Sequence, residues 1–334
     1  MQEVRGPNPL ISTDLLTQFP IFAELCFFMK RTITGIGETV LDIVIKEGQA
    51  LGAVPGGSVF NALVSLGRTA ARDIPGVTVE MISWLGDDAV AGIISDFMRE
   101  NRISDAALTR FSGQSPLSLA VLDHNNNATY EFFRDRGKPH FPVPDAAVAK
   151  DDLVLFGSVF AVNPDTAPQT HDFVRRARKA GAIVYYDINF RKNHPAAPQE
   201  IDVNLSLSDI VRGSSEDIAS LYGSDDAAAV YAERIAPFCP NFICTRGADN
   251  AEVFSPGVHE VFPVEKTGPV VSTIGAGDNF NAGVLYALAR DGFTKESVRK
   301  LSAADWTRLI PTAMRFSANV CGSIFNYVDK DFTA

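Results

Sequence analysis

Cysteine is scarce in this sequence, and its arrangement argues against two classes of site. Four cysteines occur among 334 residues, at Cys26, Cys239, Cys244 and Cys321. None of them has the C-x-x-C spacing of a zinc site, and four scattered thiols do not make a disulfide framework. We therefore expect buried thiols in a protein of the reducing cytoplasm.

Clusters of basic residues and long apolar runs are also missing. The formal charge of −10 and the isoelectric point near 5.0 oppose nucleic acid or an anionic membrane as the main partner, because either one favours clustered Lys and Arg. The longest apolar runs are too short to cross a bilayer, and no repeat is visible. With 46% hydrophobic and 21% charged residues, the chain has enough apolar material for a large α/β enzyme core.

Three widespread signatures of nucleotide-binding proteins are absent. The sequence contains no G-x-x-x-x-G-K-[ST] loop and neither the H-R-D nor the D-F-G motif of protein kinases. Gly35-Ile-Gly37 begins like a dinucleotide fingerprint, but Val40 occupies the third glycine position and strand-like residues follow where a helix is required. A dehydrogenase is disfavoured for this reason.

The most informative stretch is GPVVSTIGAGDNFNAGVLYALARDG, residues 268–292. Its pattern predicts a strand end at Val270 and Val271, a glycine turn, an amphipathic helix and a C-terminal cap at Gly292. A Gly-Ala-Gly turn that leads into a helix directs backbone N–H groups outward at the positive end of the helix dipole. This arrangement suits an anion.

Asp278 lies in the first turn of this predicted helix. Its carboxylate could simply complement the helix dipole. Beside an anion site, the same carboxylate could accept the proton of a hydroxyl that attacks a bound phosphoryl group. Both interpretations follow from the residues alone.

The string IGAGDNFNAG resembles the second signature of the ribokinase-like (PfkB) sugar kinase family. The resemblance implies that Asp278 is the catalytic base and that Gly275, Ala276 and Gly277 form the anion hole. It also implies the fold, an α/β architecture with a central, mostly parallel sheet, helices on both faces and a small β lid. The implied cofactors are ATP and Mg²⁺.

Two further stretches resemble the sugar-binding half of this family. Residues 32–45 alternate and predict one strand, in which the Asp42 carboxylate is suited to accept vicinal sugar hydroxyls. The segment PGGSVFNALVSLGR resembles the first family signature, G-G-x-x-x-N. Gly56, Gly57 and Asn61 are then implied to contact the sugar, whereas a plain turn and helix cap is the structural alternative.

A small sheet is predicted outside the α/β core, from segments at about residues 45–55 and 114–135. Residues 118–123 and 129–133 alternate around an Asn-rich turn and predict a β-hairpin. In the family such a sheet is a lid over the sugar and often a dimer contact, so a homodimer through the lid is implied. Arg134 follows YEFF, which resembles a fructokinase-like subset whose arginine faces the substrate.

From residue 151 onward, strands alternate with helices, which predicts a parallel sheet with ligands at the carboxyl ends of its strands. Asn189, in a D-x-N-x-R loop, resembles the residue that faces the nucleotide phosphates in the family. Ser214 and Asp217 stand where the family has N-x-x-E, so Asp217 is a candidate metal residue with a helix cap as the alternative. Thr245 and Gly247 resemble the T-x-G that borders the nucleotide.

The resemblance covers residues 30–334, and residues 1–29 are predicted to be an N-terminal extension. Near the glycine turn the chain has Ser272 and Ile274 where the family usually has Asp and Thr, so activation by a monovalent cation has no support. The sequence predicts an ATP-dependent sugar kinase, most simply of fructose. A 2-keto-3-deoxygluconate kinase, a nucleoside kinase and a catalytically silent sugar-binding regulator remain as alternatives.

Overall fold

Residues 30–123, 128–134, 145–190, 198–265 and 268–334 are described in the computed structural model of the protein. The predicted N-terminal extension, residues 1–29, lies outside them, as does the hairpin turn at residues 124–127. Residues Arg31–Ala334 form the structural unit considered below.

The strands are, in chain order, β1 (Arg31–Ile36), β2 (Val40–Lys46), β3 (Gln49–Gly56), β4 (Val77–Gly86), β5 (Ile103–Ser104), β6 (Leu108–Phe111), β7 (Leu117–Leu122), β8 (Ala128–Phe133), β9 (Leu153–Gly157), β10 (Ile183–Asp187), β11 (Ile210–Ser214), β12 (Asn241–Arg246), β13 (Asn250–Ser255) and β14 (Val258–Pro263). The helices are α1 (Ser58–Arg68), α2 (Ala70–Asp73), α3 (Ala89–Glu100), α4 (Ala167–Ala180), α5 (Pro198–Leu207), α6 (Ser215–Tyr222), α7 (Ala227–Val230), α8 (Ala276–Arg290), α9 (Lys295–Val298) and α10 (Ala303–Cys321).

In the described part of the chain, ten strands form one large sheet in the order β14-β13-β12-β11-β10-β9-β1-β4-β5, with β6 also paired to β4. The pairs from β12 to β4 are parallel, and β12-β13-β14 closes one edge as an antiparallel meander. Every residue of β9 and β10 is buried. Continuous apolar runs such as LVLFG and IVYYD are expected for parallel strands that are covered on both faces.

Two hydrophobic clusters cover the two faces of this sheet. Leu153 and Leu155 of β9 point into a cluster built with α1, α8 and α10, whereas Val154 and Phe156 point into a cluster built with α4 and α5. The division follows the two-residue period of a strand. The predicted α/β core is thereby confirmed.

A second sheet of four described strands has the order β3-β2-β7-β8. The predicted hairpin is confirmed as the antiparallel pair β7-β8. The prediction of one strand over residues 32–45 is wrong, because the chain turns at residues 37–39 and leaves the large sheet for the small one. A Cβ added at Gly35 or Gly37 would lie 2.6 Å or 2.8 Å from Val59 of α1. Helix α1 therefore packs closely against the backbone just before and just after the last residue of β1.

The predicted strand before the glycine turn is also wrong. Val270 and Val271 are 65% and 52% exposed and belong to no strand. A hydrogen bond of 2.8 Å from the Val271 N–H to the Cys321 carbonyl holds this segment against the end of α10 instead. The predicted helix is confirmed as α8, and Gly292 follows its C-cap with a φ of +67°. Among the described residues, no helix has both the length and the apolar character needed to cross a bilayer.

Candidate active site

The N-termini of α1 and α8 meet at the Asp278 carboxylate. The Ser58 hydroxyl donates a hydrogen bond of 2.7 Å to Asp278 Oδ1, and the Asn61 amide donates one of 2.9 Å to Oδ2. Ser58 and Asn61 both lie in the first turn of α1, more than 200 residues before Asp278. Each carboxylate oxygen therefore accepts a hydrogen bond from a side chain of a second helix.

Asn189 extends this arrangement toward the carboxyl ends of the parallel strands. Its side-chain amide donates a hydrogen bond of 2.8 Å to Ser58 Oγ. Asn189 has a φ of +34°, a left-handed conformation that asparagine adopts more readily than most residues. Ser58 thus connects the predicted nucleotide residue Asn189 to the predicted base Asp278.

Asp42 lies in the middle of β2, on the small sheet, and is 8% exposed. Its Oδ1 accepts a hydrogen bond from Ser118 on the neighbouring strand β7. A Cβ at Gly56 would lie 2.4 Å from Asp42 Oδ2, so the glycine provides the space that this carboxylate needs. Burial raises the pKa of Asp42 to about 6; the Ser118 hydrogen bond opposes the shift and the charge of Glu38 adds to it.

Asn61 has one side-chain atom that remains to be satisfied. Its Oδ1 is buried and has no hydrogen-bond partner among the described residues, and it lies 3.9 Å from the position of a Cβ at Gly56. A buried acceptor without a donor is costly, and a ligand hydroxyl would satisfy it. The two predicted sugar residues Asp42 and Asn61 thus offer oxygen acceptors close to each other.

The glycine turn has the geometry that its sequence predicts. Gly275 has a φ of +80°, and an added Cβ would lie 2.9 Å from the Asn326 carbonyl oxygen. Ala276 donates its N–H to the Thr273 carbonyl at 3.2 Å, whereas the N–H groups of Gly275 and Gly277 make no hydrogen bond to a described residue. The turn therefore offers amide donors at the positive end of α8.

Arg212 lies beneath this turn. A Cβ at Gly277 would lie 2.9 Å from Arg212 Nη1. The buried guanidinium pairs with Asp187 at 3.2 Å and donates to Thr245 Oγ1. Burial raises the pKa of Asp187 to about 6, although the charge of Arg212 opposes that shift. A fixed positive charge thus lies directly beside the predicted anion hole.

Ser214 and Asp217 form a reciprocal capping box at the start of α6, so the structure contains the helix cap that was the alternative to a metal role. The Asp217 carboxylate accepts hydrogen bonds of 2.8 Å from the Phe190 N–H and 2.7 Å from the Ser214 N–H. Both residues also line the main cavity.

Thr245 and Gly247, by contrast, lie at the end of β12 and are not part of the cavity wall. Gly247 has a φ of +49° and open space around it, which fits a turn. The role of this pair beside a nucleotide remains a prediction.

The acidic side chains near the carboxyl ends of β10 and β11 can be compared with the ligands that Mg²⁺ prefers. Asp187 Oδ2 has no hydrogen-bond partner among the described residues, and the charges of both Asp187 and Asp217 act on Arg212. Carboxylate oxygens suit Mg²⁺, which commonly takes one or two protein ligands and completes its shell with water and phosphate. No group of three or more metal-ligating side chains occurs within the described ranges, so the residues fit a metal that arrives with a nucleotide rather than a site built from protein ligands alone.

Arg134, at the end of β8, forms a bidentate ion pair with Glu38 in the turn between β1 and β2. The distances are 2.5 Å from Nε to Oε1 and 2.7 Å from Nη2 to Oε2. The guanidinium lies 4.4 Å from the centre of the Phe132 ring. This pair joins the end of β8 in the small sheet to the turn after β1, an interior strand of the large sheet.

One cavity of about 1020 Å³ is lined by the following predicted site residues: Asp42, Gly57, Asn61, Arg134, Asn189, Ser214, Asp217, Gly275, Gly277 and Asp278. Gly56, Ala276, Thr245 and Gly247 are not among its lining residues. Asp278 accepts a hydrogen bond from Asn61, the neighbour of Asp42, and follows directly after Gly277, which packs on Arg212. The volume is large enough for two small ligands side by side. A carboxylate between two ligand sites is suited to move a proton during transfer from one ligand to the other.

Three residues of the cavity were missed by the sequence analysis. Ser58 stands inside the PGGS segment, whose residues indicated no role for this hydroxyl beyond the alternative of a plain turn and helix cap. Arg212 stands two residues before Ser214 in a buried strand, where an unpaired arginine is improbable and an acidic partner should be sought. Glu38 has no local signal, because its partner is 96 residues away.

Residues 30–304 match the model of the pfkB family of carbohydrate kinases. The chain belongs to this family. Its members transfer a phosphoryl group to an alcohol, so the predicted enzyme class is confirmed. The catalytically silent regulator is thereby disfavoured.

Fructokinases are prominent among the relatives of this pfkB-family chain. A fructokinase from Rhizobium leguminosarum bv. trifolii is 26% identical over 280 residues, which cover 79% of this chain and 82% of the relative. An aminoimidazole riboside kinase from Salmonella typhimurium is 26% identical over 303 residues, with 86% and 87% covered. The structure of a fructokinase from Xylella fastidiosa with bound ATP superposes with a TM-score of 0.74 at 22% identity, covering 88% of this chain and 93% of that one. The predicted ribokinase-like fold is confirmed.

Proposed function

We propose that this pfkB-family enzyme is an ATP-dependent kinase of a neutral sugar, with fructose as the first candidate. One observation carries the proposal. The Asp278 carboxylate is held between sugar-side acceptors on one side and a glycine turn with a buried arginine on the other. Fructokinases among the relatives support fructose.

The sugar is proposed to bind at Asp42 and Asn61. Two of its hydroxyls donate to Asp42 Oδ2 and to Asn61 Oδ1, the acceptor that lacks a described partner. Such hydrogen bonds fix the ring, and the attacking hydroxyl is then directed at Asp278. Orientation of this kind turns a bimolecular reaction into an effectively unimolecular one.

The transfer step is proposed as an in-line displacement. A lone pair of the sugar hydroxyl forms the new O–P bond, its proton passes to the Asp278 carboxylate, and the bond to the bridging oxygen breaks so that its electron pair leaves with ADP. The amide groups of Gly275 and Gly277, with Arg212 beneath them, offset the charge on the transferred phosphoryl oxygens. Bound magnesium would add charge neutralisation, held by Asp217, Asp187 or their waters together with the phosphates.

The test is release of ADP by purified protein with a panel of acceptors, namely hexoses, ketoses, 2-keto-3-deoxygluconate and nucleosides. Asp278→Asn keeps the size of the side chain but removes its basicity and one of the two oxygen acceptors that Ser58 and Asn61 use. We expect kcat to fall by roughly 10²–10⁴-fold with nucleotide affinity little changed. Asp291→Asn makes the same charge change at the C-cap of the same helix and should keep kcat near wild type.

Two outcomes would contradict the proposal. Full turnover by Asp278→Asn would leave Asp278 as a dipole-complementing residue only. Absence of ADP release with every acceptor would remove the kinase function of this chain altogether.

A further inference from the structure

The two arginines that line the cavity are both neutralised by a carboxylate. Arg212 pairs with Asp187, and Arg134 pairs with Glu38. Among the described residues of the cavity wall, no lysine or histidine adds another positive charge. A substrate that enters the sugar end therefore meets no uncompensated cation.

The pair of Glu38 and Arg134 occupies one bidentate edge of the guanidinium, the edge formed by Nε and Nη2. Nε and one Nη each donate to a different carboxylate oxygen, and Phe132 covers one face of the guanidinium. The Glu38 side chain is only 15% exposed, whereas that of Arg134 is 42% exposed. The carboxylate is thus the more deeply placed member of the pair.

The charge of Glu38 also reaches the sugar acceptor. It is one of the causes, after burial, of the raised pKa of Asp42. A sugar that carries a carboxylate would meet the negative charge of Asp42 here, together with an arginine whose charge Glu38 already neutralises, and like charges at short range oppose binding. A neutral sugar meets two hydrogen-bond acceptors instead, the Asp42 carboxylate and Asn61 Oδ1.

We propose that Glu38 determines substrate class by binding Arg134 and withholding that cation from the substrate. The site then accepts neutral sugars and rejects sugar acids. This inference rests on the proposed function. Without Glu38, Arg134 would present the same bidentate fork to the carboxylate of a sugar acid.

The test compares kcat/KM for fructose and for 2-keto-3-deoxygluconate. In Glu38→Gln we expect the ratio to shift toward the acid by at least about tenfold, because a repulsive charge is lost and an attractive one becomes available. Arg134→Gln should shift the ratio the opposite way, since Glu38 is then unpaired. The double variant should lose the gain that Glu38→Gln produces.

A matched control is available at Glu252, which pairs with Arg246 at 2.7 Å and is also 15% exposed. Glu252→Gln removes the same charge from a similar pair outside the cavity wall, so it should leave the substrate ratio unchanged. Calorimetric binding of 2-keto-3-deoxygluconate to each variant, without nucleotide, gives a readout that does not depend on phosphoryl transfer. Binding to Glu38→Gln and not to wild type is expected.

The outcomes separate this inference from the function on which it rests. If Glu38→Gln lowers kcat/KM equally for both sugars, Glu38 serves only to hold Arg134 in place, and the inference is overturned. A gain that persists in the double variant would overturn it as well, because Arg134 would not be the cation involved. A wild-type protein without any kinase activity would overturn the proposed function, and calorimetry would still decide whether Glu38 excludes the acid.

Discussion

The surroundings of Asp278 and those of the small sheet differ in how their polar groups are held. At Asp278, two helices and the loop after β10 meet, and the side chains of Ser58, Asn61 and Asn189 form a continuous set of hydrogen bonds. On the small sheet, Leu51, Phe132 and Phe133 are exposed, and its contact with the turn after β1 is the partly exposed ion pair of Arg134 and Glu38. The predicted dimer contact through this sheet remains a prediction.

This difference separates two requirements of a kinase. A proton acceptor has to be positioned to within a fraction of an ångström, which favours buried and mutually restrained groups. A sugar has to enter and leave, which favours an edge with fewer restraints. Variants on the two sides should therefore fail in different ways, in chemistry on one side and in affinity on the other.

The largest effect on sugar affinity is expected from Asp42→Asn, on the side of the small sheet. Loss of the charged acceptor should weaken sugar binding by roughly 2–5 kcal/mol and leave turnover at saturation less affected. Calorimetry and KM measure this. Asp165→Asn changes a second acidic residue of the cavity wall that is exposed, and it should have little effect. Equal affinity of Asp42→Asn and wild type would remove Asp42 from the sugar site.

Compared with Asp42→Asn, the wild-type protein should respond to a fall in pH with opposite changes in stability and in sugar affinity. The pKa of folded Asp42 is about 6 against an ordinary value of 3.8, so burial of the charge costs about 2–3 kcal/mol at pH 7. This cost disappears as the pH falls from about 6 to below 4, because the folded protein takes up the proton first. Wild type should therefore gain unfolding free energy relative to Asp42→Asn over this window, while it loses sugar affinity. Urea unfolding at pH 7 and pH 4 checks the sign, and a gap independent of pH would contradict it.

An intermediate effect is expected from Gly275→Ala, compared with Gly292→Ala. Both glycines have positive φ, +80° and +67°, and they flank the same helix. Backbone strain should cost each variant about 1–2 kcal/mol of stability. Only at Gly275 does the new Cβ meet a backbone oxygen, at 2.9 Å, while the space at Gly292 is open. Turnover should therefore fall, by about tenfold or more, in Gly275→Ala alone, and an equal fall in both would mean that the turn has no special role.

The smallest effect is expected from Ser58→Ala, which tests whether Asp278 is positioned from α1. One hydrogen bond to the carboxylate is lost while the one from Asn61 remains, so kcat should fall by about five- to tenfold, or roughly 1–1.5 kcal/mol. The KM for sugar and for nucleotide should change little. Ser58→Thr, which retains the hydroxyl, should recover most of the loss. A change confined to KM would assign Ser58 to binding instead.

The sequence alone was sufficient to predict the regular helices and strands of this molecule and the motifs at the N-termini of α1 and α8. Glycine turns, apolar periodicity and caps are local, and they predicted α8, α1 and the strands of the second half. The strand at Val270 was wrong because β propensity depends on a neighbouring strand, and here the available partner is a single carbonyl at the end of α10. The run at residues 32–45 was wrong because alternation cannot show where a chain changes from one sheet to another.

The contacts that define the candidate site are long-range, and local patterns do not contain them. Ser58 and Asn189 are 131 residues apart, and Asn61 and Asp278 are 217 apart. The resemblance to a family supplied the roles of Asp278 and Asn61, but it did not indicate that they bond to each other. Neither Arg212 nor Glu38 was predicted to be a site residue, and only their distances to Gly277 and Arg134 show where they act.

The small sheet is made of two excursions from an otherwise regular α/β chain. One excursion, β2 and β3, interrupts the passage from β1 to α1, and the other, β7 and β8, lies between β6 and β9. The proton acceptor and its orienting helices lie outside both excursions, so exchanging these two segments for those of another kinase would leave the transfer machinery intact. On the proposed function, β2 supplies Asp42 and the end of β8 supplies Arg134, whereas Asn61 of α1 and Glu38 of the turn after β1 belong to the remainder of the chain. A chimera that carries foreign β2-β3 and β7-β8 segments should therefore change its sugar affinity while Asp278 and the glycine turn stay in place.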